Sequence, residues 1–80
     1  MKLYVRLVEL LKERNLTQVQ LNELIKEKTG KELRAAAISE LANNQRRSIN
    51  REHLERIAKA LDITEINKLI TLEIDETEKR

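Results

Sequence analysis

The chain has no cysteine, no proline, one glycine (Gly30), one histidine (His53) and one aromatic residue, Tyr4. Without cysteine, neither a disulfide framework nor a thiolate metal site can form, and a single imidazole cannot build a histidine cluster. No metal ion or other cofactor is expected. One ring is too few for the stacking platforms that hold single-stranded nucleic acid. With so little glycine and proline, and no low-complexity stretch, nothing marks a linker. Residues 1–75 therefore read as one domain and 76–80 as a flexible charged tail. No run of about 18 residues is free of charge, and the N-terminus lacks a basic-then-apolar signal pattern, so a soluble, cytoplasmic protein with no membrane partner is expected. Eighty residues is small for an enzyme with a deep cleft, and no Ser, His and Asp set or carboxylate pair suggests catalysis.

What is present is charge and aliphatic periodicity. Residues 1–30 carry six basic against four acidic side chains, residues 31–60 seven against four, and residues 61–80 three against six. The basic surplus lies in the middle of the chain and the end is acidic, as a solvated terminus or a segment turned away from an anionic partner would be. Val5, Leu7, Val8, Leu10 and Leu11 recur at helical spacing, with Lys12, Glu13 and Arg14 on the polar side, and Asn15-Leu16 closes this first helix.

Thr17-Gln18-Val19-Gln20 fits a capping box, which starts a second helix whose core face is Leu21, Leu24 and Ile25. Gly30 is placed to take the left-handed conformation that stops it. The third helix, about residues 33–44, has Leu33 before it, Ile38 and Leu41 as buried positions, three alanines that favour helix, and Asn43-Asn44 as its end. Asn50 is an N-cap for a fourth helix carrying Leu54, Ile57, Ala58 and Leu61. Glu52, Glu55, Arg56 and Lys59 are spaced to pair along its solvated face. A short fifth helix begins at Thr64 and carries Ile66 and Leu69. Lys2–Arg6 and Ile70–Asp75 alternate apolar and polar residues. They form either a small two-stranded ribbon packed on the helices or completed by a second subunit, or a frayed N-terminus and an irregular tail.

This arrangement suits duplex DNA. The first turn of the second helix leaves backbone N–H groups unpaired, and Thr17 and Gln18 beside them make a phosphate clamp unless Gln18 is simply a surface residue. Arg46 and Arg47 supply positive charge to the flanking DNA backbone, and Asn43 or Asn44 can donate to a phosphate oxygen.

Leu16-Thr17-Gln18-Val19-Gln20-Leu21, Thr29-Gly30, Ala37-Ile38-Ser39, Ile49 and Leu54-Glu55-Arg56-Ile57-Ala58-Lys59-Ala60-Leu61-Asp62-Ile63, in this order and spacing, resemble the Cro and phage-repressor (XRE) type of helix-turn-helix regulator over about residues 5–70. The resemblance implies an all-α, compact five-helix, lambda-repressor-like domain whose second helix lies across the DNA backbone and whose third enters the major groove. The implied groove-facing positions are Arg34, Ala35, Ala36, Ser39 and Glu40. Arg34 suits guanine O6 and N7, the Ala35 and Ala36 methyls suit thymine, and Glu40 either accepts from cytosine N4 or pairs with Arg34 or Arg47. The chain departs from the pattern at Lys31 and Glu32, which lengthen the turn by two residues. Either Arg34 is recruited to DNA at some cost in capping, or the third helix begins earlier, near Lys31, and is longer than in the pattern.

The expected protein is thus a sequence-specific regulator of double-stranded DNA, a repressor working as a homodimer on a roughly palindromic site. Its interface is expected on the fifth helix and the C-terminal segment. The alternatives are a protein-binding adaptor or antitoxin-like module that offers its C-terminal segment to a protein partner, and a nonspecific architectural protein.

Overall fold

A computed structural model describes residues 1–45 and 48–73. The Arg46–Arg47 pair, the end of the alternating segment at Ile74 and Asp75, and the charged tail lie outside these residues. In chain order the elements are strand β1 (Lys2–Val5), helices α1 (Leu7–Glu13), α2 (Gln18–Thr29), α3 (Ala35–Ala42) and α4 (Arg51–Ala60), a 3₁₀ turn (Ile66–Lys68) and strand β2 (Ile70–Glu73).

A chain with one glycine must stop its helices by other means. The residues just past α1, α3 and α4, namely Asn15, Asn44 and Asp62, all take positive φ, near 55°. Each is followed by an N–H that donates five residues back: Leu16 to the Leu11 carbonyl, Gln45 to Glu40 and Ile63 to Ala58. Asn and Asp tolerate the left-handed region best after glycine, so they close three helices while Gly30 (φ 87°) closes α2.

The two alternating segments pair. β1 and β2 form an antiparallel ribbon with Lys2 opposite Glu73, Leu3 opposite Leu72, Tyr4 opposite Thr71 and Val5 opposite Ile70. The ribbon reading therefore holds, and the frayed alternative does not. The expected fifth helix is corrected: among the described residues there are four α-helices, and the segment from Thr64 makes only the single 3₁₀ turn. The ribbon explains the difference. Leu69 donates back to the Ile66 carbonyl, but its own carbonyl already accepts from Arg6 N–H at 2.7 Å. The ladder begins where a second helical turn would have to grow.

The core draws from every layer. Val5 of the ribbon, Leu7, Leu10 and Leu11 of α1, Leu21 and Ile25 of α2, Leu33, Ile38 and Leu41 around α3, Ile57 of α4, Leu61 and Leu69 are all buried. Each such side chain contributes about 1.5–3 kcal/mol relative to exposure. α2 packs chiefly on α4 and also on α3, so the outer surfaces of α2 and α3 are held against a common aliphatic base. Among the described residues no helix is long and apolar enough to cross a membrane.

Candidate nucleic-acid interface

The start of α2 is built as its sequence demands. Gln20 N–H donates to Thr17 Oγ1 at 3.1 Å, and Thr17 N–H donates to Gln20 Oε1 at 2.9 Å, so both halves of the capping box are made. Two first-turn donors remain, the backbone N–H groups of Gln18 and Val19, on a turn whose residues 17–20 are all exposed. Thr17 spends its hydroxyl on the cap and holds this turn open. Gln18 keeps its side chain at the surface.

α3 starts at Ala35 and ends at Ala42, later and earlier than the expected 33–44. Its late start has a local cause. The Asn22 side chain grips the peptide of Leu33 from both sides, accepting from Leu33 N–H at 2.8 Å and donating to its carbonyl at 2.7 Å. Both groups of Leu33 are thereby committed to an extended segment. The Arg56 guanidinium donates to the Lys31 carbonyl at 3.2 Å and also meets Glu52 at 2.7 Å. The longer turn is thus held from α4 at Lys31 and from α2 at Leu33 just beyond it, and Arg34 sits at the N-cap position in extended backbone without a side-chain cap. The reading in which the third helix begins near Lys31 therefore does not hold.

Arg34, Ala35 and Ala36 are exposed, Ser39 is half-buried, and Asn43 is exposed one turn further on. They form one outward stripe, and Asn43 Nδ2 lies 3.4 Å from Ser39 Oγ. Gln18 and Ala35 line the same shallow concavity, so the starts of the two helices stand side by side. The structure therefore brings together Gln18, Arg34, Ala35, Ala36, Ser39 and Asn43. Glu40 and Asn44 turn elsewhere. Glu40 is half-buried and lines a hollow against the ribbon with Leu3 and Val5. Asn44 has both ends of its amide on strand β1: its Oδ1 accepts from Val5 N–H at 2.7 Å, and its Nδ2 donates to the Val5 carbonyl at 3.1 Å.

Three positioning residues thus escape a reading by spacing. Asn22 looks like an ordinary polar helix position, Asn44 like a helix stop, and Arg56 like part of a solvated charge ladder. Each also bonds backbone atoms at least eleven residues away. The signal available was modest: an amide has both a donor and an acceptor and can replace a neighbouring strand.

Among the described residues, no three side chains of His, Cys, Asp or Glu are grouped to hold a metal ion. The surface offers exposed cation, amide and methyl groups on a helix, next to an open helix start. Such groups can meet phosphates and base edges.

Comparison with known proteins agrees with this geometry. The model of the helix-turn-helix family matches residues 7–67, which takes in all four helices and the turn with its two added residues. Neither a curated protein nor a solved structure matches the chain significantly. With well over half of its length inside the match, the chain belongs to the Cro/C1-type helix-turn-helix family of DNA-binding regulatory domains.

Proposed function

We propose that this protein is a sequence-specific regulator that binds double-stranded DNA as a homodimer in the cytoplasm and represses by occupying promoter DNA. α3 lies in the major groove. Arg34 reads a guanine, Ala35 and Ala36 meet thymine methyls, and Ser39 borders the groove floor further along, while Glu40, turned toward the ribbon, takes no part in the readout. Thr17, Gln18, Asn43, Arg46 and Arg47 hold the sugar-phosphate backbone, and Asn44 serves it indirectly by fixing the end of α3. The observation that carries the reading is the exposed stripe from Arg34 to Asn43, flanked by the open N-terminus of α2. One helix with one bidentate cation offers few specific contacts, so combining two half-sites supplies the selectivity.

Selection of bound sequences from a random duplex pool, followed by titration of Arg34→Ala, tests this. A bidentate arginine–guanine pair discriminates by about 1–3 kcal/mol. The substitution is expected to weaken the selected site and to relax preference at one guanine per half-site. Unchanged affinity and preference would remove α3 from the groove.

A protein-binding adaptor is the second reading, favoured by the exposed Leu3, Ile66 and Leu72 at the ribbon end. An adaptor predicts no enriched sequence in the same selection.

A further inference from the structure

The ribbon has two edges, and among the described residues the β1 edge is partly closed and the β2 edge is open. In an antiparallel pair, alternate residues turn their N–H and C=O groups toward the partner strand and away from it. The bond from Arg6 N–H to the Leu69 carbonyl sets the phase: Arg6, Tyr4 and Lys2 face Leu69, Thr71 and Glu73, while Val5 and Leu3 face outward from β1, and Ile70 and Leu72 face outward from β2. On the β1 side the outward groups of Val5 are taken by the Asn44 amide. Asn44 there does what a third strand would do. On the β2 side the outward N–H and C=O of Ile70 and Leu72 have no partner among the described residues.

The ribbon is apolar on one face as well. Val5 and Ile70 rest on the core, and one step outward the facing pair Leu3 and Leu72 is 44% and 60% exposed. A two-stranded ribbon of four residues a side is marginal in water, and an open edge beside an apolar face is a template for another strand.

We infer that the free edge of β2 pairs antiparallel with β2 of a second copy, with Thr71 facing Thr71 across a twofold axis. This yields one four-stranded sheet whose outer edges are each met at Val5 by Asn44. The proposal rests on the homodimer reading above and gives it a surface and a register. The register follows from the outward groups. Only when Ile70 of one copy stands opposite Leu72 of the other do all the outward donors and acceptors of both described strands find partners. That register also keeps Ile70 and Leu72 of both copies on one continuous apolar face, and places the two threonines as the close, non-hydrogen-bonded pair at the centre.

The absence of cysteine makes the test direct. In this register the Cα atoms at position 71 lie about 4.5 Å apart, within disulfide reach, whereas those at position 72 are diagonal and too distant. Single-cysteine variants Thr71→Cys, Leu72→Cys and Lys68→Cys, oxidised with glutathione disulfide, are expected to give a covalent dimer from Thr71→Cys at least about tenfold faster than from the other two. A second variant, Leu72→Pro, deletes the outward donor while leaving the β1–β2 bonds intact. It is expected to raise the dimer dissociation constant at least about tenfold with unchanged far-ultraviolet circular dichroism. A sedimenting dimer in which Thr71→Cys crosslinks no faster than Lys68→Cys, or which Leu72→Pro leaves intact, overturns the edge pairing but not the homodimer. A monomer at every concentration, free and on the selected DNA, overturns both.

Discussion

Tyr4 shows how one residue reports its surroundings. Its hydroxyl donates to Glu9 Oε1 at 3.2 Å, and Glu9 in turn lies 3.7 Å from the Arg6 guanidinium. The Glu9 carboxylate holds the Tyr4 phenol above its usual value of 10.0, helped by partial burial, by the hydrogen bond itself and by Glu73, and opposed by Arg6. The native state therefore keeps its phenolic proton where the unfolded chain has begun to lose it. This contribution to stability is full below pH 10 and fades as pH rises from there through the raised native value. Because the chain has a single tyrosine, its phenolate absorbance near 295 nm follows the titration without interference. We expect a midpoint above 10.0 in the native protein that falls toward that value in Glu9→Gln. An unmoved midpoint would show that the carboxylate is not the cause.

At the scale of elements, the caps decide where helices lie. The capping box at Thr17 satisfies one backbone donor of α2 and the donor of the cap itself. Thr17→Ala is expected to lower unfolding free energy by about 1 kcal/mol in urea titration. It should also weaken DNA binding, because the same turn presents the Gln18 and Val19 N–H groups. A loss of stability with no loss of affinity would separate α2 from the DNA backbone. These caps were legible because they are local: Thr17 with Gln20, Asn50 with Glu52, and Gly30 with Lys26 each act within four residues. Alternation in Lys2–Arg6 and Ile70–Asp75 offered the ribbon as one of two readings, and only the pairing of Lys2–Val5 with Ile70–Glu73 decides between them. The start of α3 was not legible, because Asn22 acts across eleven residues. The single 3₁₀ turn in place of a fifth helix follows from a ladder bond between Arg6 and Leu69, a contact that no local pattern encodes. Of the candidate interface, the stripe from Arg34 to Ser39 came from the family resemblance. The turning of Glu40 and Asn44 toward the ribbon needed the tertiary structure.

Across the whole molecule, charge is arranged by segment rather than by net value. The formal net charge is only +2, yet residues 31–60 hold seven basic against four acidic side chains. Binding to DNA should therefore fall steeply with salt through counterion release from phosphates. Each phosphate contact contributes about 0.9 to the slope of log affinity against log salt. Replacing Arg46 and Arg47 together by Gln is expected to flatten that slope by about 1.8 per subunit, with the preferred sequence unchanged. A slope that does not move would take both arginines off the backbone.

The ribbon joins residues from the two ends of this domain, Lys2 with Glu73, and this sets an order of events during synthesis. β1 emerges from the ribosome first and meets its strand partner last, after the four helices have been made. The bond that Val5 makes on its other side spans less chain, since Asn44 lies only 39 positions beyond it. The nascent chain thus has a means of docking its first strand early, against the end of α3, and of shielding an otherwise sticky edge while the slow, non-local closure is still awaited.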